Sequence, residues 1–600
     1  MRFPMGEWTV FGAGEGLPQG FTGEGVIIGV TDWGFDYTHP VFYDTNMIHY
    51  RVLRAWDQYK TSGPAPEGFD YGTEYVGPEE LLNARCDTIN PYDYAYHGTH
   101  CASIAGGAGA GTIYRGVAPE AEFLFATIDL TDRAVIDAWN WMYNVAQAEG
   151  KRLVISMSWG VYTLDNMDGS GVLAEEVRRL TDLGVVFTTS AGNNGDVNFH
   201  LKYDFNQHPD DTIRTHFQFP GSSANLWGSS ITMINSANSP FGFYMNVMDN
   251  SYNILASTPF VFTANGDGSL DTFIVVNNDT LVYRYEVRST NEYNQAPSVR
   301  LVVKQHDYYK FGLAVTAAQG VFHAWNVAEI TKAWGNWGAY FTAPAAHPDW
   351  IGGDNKYGIS TPANIDEIIT VAAHHSRIVS SAGSIGGSIA SFSSSGPGFH
   401  DVRKPEISAP GNKVVSAISS YTNTYSGGYT TSVDFNGRTY HFASLSGTSM
   451  SCPFVAGVVA LMLQANPYLT VAQVKEIIAE TATNDNYTAS AGIDRFGYGK
   501  VNAYQAVLRA LSTVGVEEYE VSKSHYSVFP NPVDNQCYIS VTSDSPMVRC
   551  TLYDLAGRQI LDNALQPGVN TLDVRNLSSG CYILRFNDGK VFVTKKIIKN

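Results

Sequence analysis

Residues Gly25-Val26-Ile27-Ile28-Gly29-Val30-Thr31-Asp32 form a short apolar run that closes on an acid. Apolar residues at successive positions are the pattern of a strand buried on both faces of a parallel sheet. Residues 123–128, 153–158 and 185–190 read the same way. Helical patterns over 134–148 and 173–183 lie between them. Strands alternating with helices predict an α/β fold, a parallel sheet with helices on both faces.

The pattern changes near residue 197. From there to 357 helical periodicity is lost, and residues 283–288 alternate as a half-buried antiparallel strand does. Further strands are expected at 241–247, 273–276 and 299–303, so an inserted β-sandwich or jelly roll is predicted. The α/β pattern resumes at 368–373. Residues 453–463 are small and apolar on nearly all sides, as in a central buried helix, and helices follow over 470–483 and 503–511. The expected organisation is therefore 1–196 and 358–511 as two parts of one α/β domain and 197–357 as its insert. A linker at 512–525 and a β-sandwich at 526–600 complete it. In the tail, strands are expected at 538–541, 548–553, 571–574, 581–586 and 591–598. Turns are expected at Ala556-Gly557, Pro567-Gly568, Ser579-Gly580 and Asp588-Gly589.

Six hundred residues exceed one compact domain, in keeping with that division. Hydrophobic residues make up 44%, which argues against disorder over most of the chain. A net charge of −19 disfavours nucleic acid and anionic membranes as partners. No apolar run is read as a membrane span. The start, Met1-Arg2-Phe3-Pro4-Met5-Gly6-Glu7-Trp8, lacks signal-peptide features, so a cytosolic protein or one given without its leader is expected. Six cysteines imply no dense disulfide framework. Cys101 and Cys452 read as buried small side chains, and at most one bridge is expected among Cys537, Cys550 and Cys581.

Three blocks carry chemistry. Asp32 ends the first strand, where surrounding structure can hold a carboxylate against an imidazole. His97 opens a small-residue helix in His97-Gly98-Thr99-His100-Cys101-Ala102. Ser449 opens the buried helix in Ser446-Gly447-Thr448-Ser449-Met450-Ser451-Cys452-Pro453. Ser449 would attack a carbonyl carbon, His97 would take and return the proton, and Asp32 would orient the ring. Ser190-Ala191-Gly192-Asn193-Asn194-Gly195 follows a strand and offers the Asn193 amide to an oxyanion, with the Ser449 N–H as second donor. Taken singly, Asp32 reads as a turn residue and Gly-Thr-Ser as a helix cap. His97 and His100 lack a convincing third metal ligand. The glycines at 106, 107, 109 and 111 follow a helix, unlike a dinucleotide loop.

The order Asp…His…Ser with these flanks resembles the subtilisin-like serine protease family, over roughly 20–196 and 358–511. Tyr114-Arg115-Gly116-Val117-Ala118-Pro119, Ser391-Phe392-Ser393-Ser394-Ser395-Gly396-Pro397 and Ser408-Ala409-Pro410-Gly411 share the likeness. The resemblance implies that Ser158, Trp159 and Gly160 form an edge that pairs with extended substrate and lines the first specificity pocket. Trp159 stands where the family carries Leu. Trp33 stands where it carries Ser or Thr, which removes a hydroxyl donor to the Asp32 carboxylate. Arg51-Val52-Leu53-Arg54-Ala55-Trp56-Asp57-Gln58, Val321-Phe322-His323-Ala324-Trp325 and Ile359-Ser360-Thr361-Pro362-Ala363 resemble the clostridial germination-protease branch, whose insert is a jelly roll and some of whose members are inactive.

The tail resembles a type IX secretion sorting domain. The likeness rests on Val528-Phe529-Pro530-Asn531-Pro532-Val533, Leu552-Tyr553-Asp554-Leu555-Ala556-Gly557-Arg558, Leu577-Ser578-Ser579-Gly580-Cys581-Tyr582 and Lys595-Lys596-Ile597-Ile598-Lys599. That implies contact with the type IX machinery and a secreted or cell-surface protein, with a generic β-sandwich binding module as the other reading. The expected function is a secreted serine endopeptidase acting on protein or peptide substrates through Asp32, His97, Ser449 and Asn193. The alternative is a subtilase-like scaffold that binds or regulates without hydrolysis. The expected chemistry needs no cofactor. Structural calcium is compatible with the family, but no ligand set can be named.

Overall fold

The computed structural model describes residues 17, 20–162, 166–221, 226–331, 334–376, 378–380, 383–513, 526–542, 548–554, 558–587 and 592–600. The chain divides into two compact units, Met1–Thr513 and Val514–Asn600.

The first unit is built on an eight-stranded sheet. In chain order its strands are β1 (Val26–Asp32), β2 (Val52–Asp57), β3 (Thr73–Val76), β4 (Glu122–Thr127), β5 (Arg152–Met157), β6 (Val186–Ser190), β7 (Ile369–His375) and β8 (Ile407–Asn412). Their order across the sheet is β8-β7-β6-β5-β1-β4-β2-β3. Only the pairing of β3 with β2 is antiparallel. All seven residues of β1 are buried, because the strand lies between β4 and β5 and both its faces are covered. Ile28 and Val30 face one apolar cluster, and Ile27 faces a second.

Helices α1 (His97–Gly106) and α4 (Thr448–Ala465) contribute to the first cluster. Helices α2 (Asp132–Ala148) and α3 (Val172–Asp182) contribute to the second. Helix α4 is 18 residues long with a mean hydropathy of 1.5, enough by length and composition to cross a membrane. Sequence reading expected no such segment. Here 83% of it is buried inside the unit, and it serves as the core helix. Its centre approaches α1 closely. A Cβ at Gly457 would lie 2.6 Å from both the Ala105 carbonyl oxygen and the Val117 Cβ.

Between β6 and β7 the chain forms two antiparallel sheets. One runs Ile254–Ser257, Phe241–Met248, Lys310–Ala317, Thr212–Phe217, Phe341–Thr342. The other runs Gly268–Val276, Asp279–Arg288, Ser298–Lys304, Leu226–Ile234, Val321–Ile330, Trp334–Gly338. A shared apolar core that includes Phe217, Phe243, Leu301 and Phe322 fills the space between them. A further sheet of Val414–Ile418, Arg438–Leu445 and Tyr429–Phe435 precedes α4. Sequence reading had not anticipated it, since four of the seven residues in Tyr429–Phe435 are exposed and carry no continuous apolar signal.

The second unit is all β. One sheet contains Tyr526–Phe529, Gln536–Val541 and Gly568–Asp573. The other contains Gln559–Leu565, Val548–Asp554, Gly580–Asn587 and Phe592–Lys599. Ile539, Leu552, Leu572 and Phe586 belong to its core. The linker expected at 512–525 begins inside the helix Ala503–Ser512, and from 514 onward lies outside the described residues. The expected turns at Ala556-Gly557 and Asp588-Gly589, and the first sixteen residues, lie outside them too.

Gly457→Val tests the α1–α4 contact. Overpacking at this point is expected to lower the unfolding free energy by about 1–3 kcal/mol. The readout is a lower denaturant midpoint at unchanged slope. An unmoved midpoint would show that the two helices do not meet as described.

Candidate active site

Three elements converge at the carboxyl edge of the parallel sheet. Asp32 is the last residue of β1, His97 the first of α1, and Ser449 the second of α4. Asp32 is fully buried. Its carboxylate accepts from His97 Nδ1 at 2.8 Å on Oδ1 and 2.9 Å on Oδ2. The His97 side chain keeps 31% of its surface, so the ring spans from the buried acid to solvent.

Trp33 does not starve the carboxylate. Its backbone N–H donates to Asp32 Oδ1 at 2.7 Å. Its indole N–H donates instead to the Ile128 carbonyl, and the ring packs on Tyr92. The turn that follows is braced against α1. Gly98 N–H donates to the Trp33 carbonyl at 2.6 Å, and Thr99 Oγ1 donates to the Gly34 carbonyl at 2.6 Å. Gly34 has φ +80°, and a Cβ there would sit 2.3 Å from the Ala95 carbonyl carbon and the Tyr96 nitrogen, so glycine is required. Its N–H donates to Asp87 Oδ2 at 2.7 Å. Burial, with help from Asp57, pushes the Asp87 carboxyl up to about 7. Sequence reasoning missed Asp87, which stands in a polar loop with no motif around it.

The Ser449 hydroxyl donates to the Ser158 carbonyl at 3.1 Å. Its backbone carbonyl is released from the helix ladder, because Pro453, four residues on, has no N–H to offer. That carbonyl accepts from Ser158 Oγ at 2.9 Å and from Cys101 Sγ at 3.4 Å. Cys101 Sγ also lies 3.7 Å from His97 Nδ1 and 4.0 Å from Nε2. Burial raises the Cys101 thiol, which keeps it neutral beside the imidazole. All six cysteines are free. Cys101 and Cys452 are buried, and Cys452 also reaches Ser156 and Thr188 at 3.5 Å, so both act as polar contacts as well as small fillers.

Asn193 is anchored by its oxygen. Oδ1 accepts from the Thr448 N–H at 2.9 Å and from Thr448 Oγ1 at 3.0 Å. Nδ2 is thereby left as the outward donor. A Cβ at Gly447 would lie 3.6 Å from that Nδ2 and 3.7 Å from the Ser449 nitrogen. The absent side chain leaves open a space bordered by two donors, beside the hydroxyl. Ser158, Trp159 and Gly160 follow directly on β5. The Trp159 ring turns into the core, where its N–H donates to Thr31 Oγ1 at 2.9 Å. What Trp159 offers an extended peptide is its backbone. Sequence reasoning also missed Ser360, whose buried, unpartnered hydroxyl would lie 2.1 Å from a Cβ on Gly160.

Asp32, His97 and Cys101 place potential ligand atoms within 4.8 Å of one another, the only such metal-capable cluster among the described residues. The cluster is the acid–base pair with the neighbouring thiol, a grouping that sequence reading did not make. His100 is not part of it, since its Nε2 faces the Ala443 carbonyl at 3.1 Å.

The subtilase family model matches residues 23–277 and 323–499, most of the chain and all of the residues just described. The chain belongs to the subtilase family. A secretion system C-terminal sorting domain matches residues 527–600. The chain is 35% identical to serine protease AprX of Bacillus subtilis over 155 residues, 26% of this chain and 33% of that protein. It is 31% identical to Bacillopeptidase F of the same organism over 177 residues, 29% of this chain and 11% of that protein. The chain thus spans a third or less of these subtilase relatives. Among solved structures, the Clostridium perfringens CspB protease shares the fold with a TM-score of 0.58 at 17% identity, covering 82% of this chain and 96% of that one.

Burial opposes a charge on His97, but the Asp32 carboxylate outweighs it and holds the imidazole well above the ordinary 6.5. Removing that carboxylate leaves burial opposed only by the Cys101 contact. In Asp32→Asn the His97 ring is expected to titrate below 6.5, followed by its NMR shifts across pH. A titration unmoved by the substitution would rule out the pairing.

Proposed function

We propose that this chain is a secreted serine endopeptidase of the subtilase type. The observation that carries the proposal is the two-oxygen contact of Asp32 with His97 Nδ1, set beside Ser449 and the two donors around Gly447. A peptide would lie extended along Ser158, Trp159 and Gly160, using their backbone as a strand edge. As the peptide settles, the Ser449 hydroxyl leaves the Ser158 carbonyl and turns to His97 Nε2. Oγ then bonds to the scissile carbonyl carbon, and its proton passes to Nε2. The oxyanion forms between Asn193 Nδ2 and the Ser449 N–H. The C–N bond breaks as His97 returns the proton to the departing amine, leaving an acyl ester on Ser449. Water deprotonated by His97 releases the acid and restores the hydroxyl. Asp32 holds Nδ1–H throughout and stabilises the imidazolium. Every proton in this scheme moves through a residue of the chain, so it draws on no cofactor.

The sorting domain supports export through a type IX secretion machinery to the medium or the cell surface. Burial of Cys101 suits that destination, because an exposed thiol would oxidise there. The reading of a non-hydrolytic scaffold rested on Trp33. The N–H of Trp33 itself serves the Asp32 carboxylate, which favours an active triad.

Ser449→Ala is expected to abolish both casein hydrolysis and labelling by a fluorophosphonate. Asn193→Ala should retain labelling and lower kcat by about 10²–10³, the loss known for one oxyanion donor in subtilisin, a member of the same family. Hydrolysis that survives Ser449→Ala would end the proposal. A wild-type chain that takes up no fluorophosphonate would revive the scaffold reading.

A further inference from the structure

A row of aromatic rings runs from beside His97 across the sheet that leads into α4. Tyr96 precedes His97 and meets Tyr425 edge-on, with centroids 5.2 Å apart at 77°. Tyr425 stacks on Tyr429 at 5.5 Å and 28°. Tyr429 lies flat on His441 at 3.9 Å and 7°. The rings are held in place from outside the row. The Tyr425 hydroxyl donates to the Gly428 carbonyl at 2.9 Å, and His441 Nδ1 bonds Ser432 Oγ at 2.7 Å. The segment is also tied to the approach to His97. Thr422 Oγ1 and the Asn423 N–H donate to the Tyr94 carbonyl at 2.8 and 3.1 Å. Behind it, the His100 bond to the Ala443 carbonyl fastens the same sheet to α1.

These rings do not belong to the core. Tyr429 is 48% exposed, and Tyr96, Tyr425 and His441 are only partly buried. A contiguous, hydrogen-bonded, partly exposed aromatic row is a recognition surface more than a packing device. Its position indicates what it recognises. Ser449 and the donors around Gly447 fix the scissile carbonyl, and Ser158 to Gly160 take the chain that precedes it. The chain that follows must leave past His97, which hands the departing amine its proton, and Tyr96 is the residue next to His97. Three ring spacings span on the order of four residues of extended chain, at roughly 3.3 Å each.

We propose that the row Tyr96–Tyr425–Tyr429–His441 binds the substrate segment after the cleaved bond and selects aromatic side chains there. Tyr425, Tyr429 and His441 cover one another's faces, so the middle of the row presents edges and open faces remain only at its ends. Edges and offset faces pair with other aromatic rings. A cation needs an open face, which the stacked middle of the row does not offer. The inference rests on the endopeptidase reading and adds to it a preference on the departing side.

The test uses quenched fluorescent peptides with one shared sequence before the cut and Phe-Phe, Ala-Ala or Arg-Arg at the second and third residues after it. Product masses verify the cut. A peptide methyl ester, which has no residue beyond the cut, reports whether each variant keeps a working triad. In the wild type, kcat/KM for Phe-Phe is expected to exceed that for Ala-Ala about tenfold. In Tyr425→Ala/Tyr429→Ala that ratio is expected to fall to within about twofold while the ester is still turned over. Equal rates for Phe-Phe and Ala-Ala in the wild type would overturn the proposal. So would Arg-Arg at or above Phe-Phe, or a ratio that survives the double substitution. Loss of ester and peptide hydrolysis together in the variant would show that the row props up the triad, and would overturn it as well. A wild-type chain inactive on the ester sinks the endopeptidase reading first, and this inference with it.

Discussion

The approach of α1 to α4 at Gly457 is the contact on which the site depends. Both helices begin at the carboxyl edge of the sheet, and each carries a reactive side chain in its first turn. Their separation sets the distance between His97 and Ser449. With the space above Gly457 taken by the Ala105 carbonyl and Val117, any larger residue must push the helices apart. A different contact, the pairing of β6 with β7, makes the large segment between them tolerable. That segment leaves after β6 and returns at β7, and those two strands are neighbours, with Thr188 opposite Ile369. The sheet therefore closes whatever lies between them. The cost of the intervening length is loop-closure entropy, which grows only slowly with length.

A second constraint acts at the start of α4. Pro453 removes one rung of the helix ladder, and the carbonyl it frees belongs to Ser449. In most helices such a group would turn to water. Here Ser158 Oγ and Cys101 Sγ take it, so the nucleophile's backbone is pinned to β5's extension on one side and to α1 on the other. The Asn193 oxygen fixes Thr448 in the same way. Three separate stretches thus hold the first turn of α4 before any substrate arrives. That is preorganisation in structural terms.

Much of this was legible in the sequence, and the reasons differ by element. The strand ending at Asp32 is readable because burial on both faces forces an uninterrupted apolar run. Helix α1 was expected to open at His97 and does, and its small residues allow the close approach. The buried helix, read from the apolar run 453–463 and expected to open at Ser449, is found there and begins one residue before, at Thr448. The sheet formed by residues 414–445 was invisible because its outer strand is half wet. Asp87 and Ser360 were invisible because they work through long-range contacts that leave no local spacing. Trp33 misled for a related reason. Its identity suggested a missing hydroxyl, while the donor that matters is a backbone N–H, which sequence identity does not alter.

Two histidines three residues apart on α1 separate burial from charge as influences on the site. His100 is fully buried with no acid beside it, and burial pushes its imidazole down to about 3. His97, whose ring reaches solvent, is also opposed by burial, yet the Asp32 carboxylate reverses the sign. The difference is therefore mainly the work of one buried carboxylate, kept in place by the Trp33 N–H and the braced turn after it, with the Cys101 contact acting in the same direction. A proton is accepted only by neutral imidazole, so a base role needs His97 deprotonated and is lost as pH falls through its raised pKa. The pairing that orients the ring therefore also sets the acid limit of the chemistry, and places it above the ordinary histidine range. A weaker acid contact would ease that limit and give up the orientation, because both come from the same two oxygens.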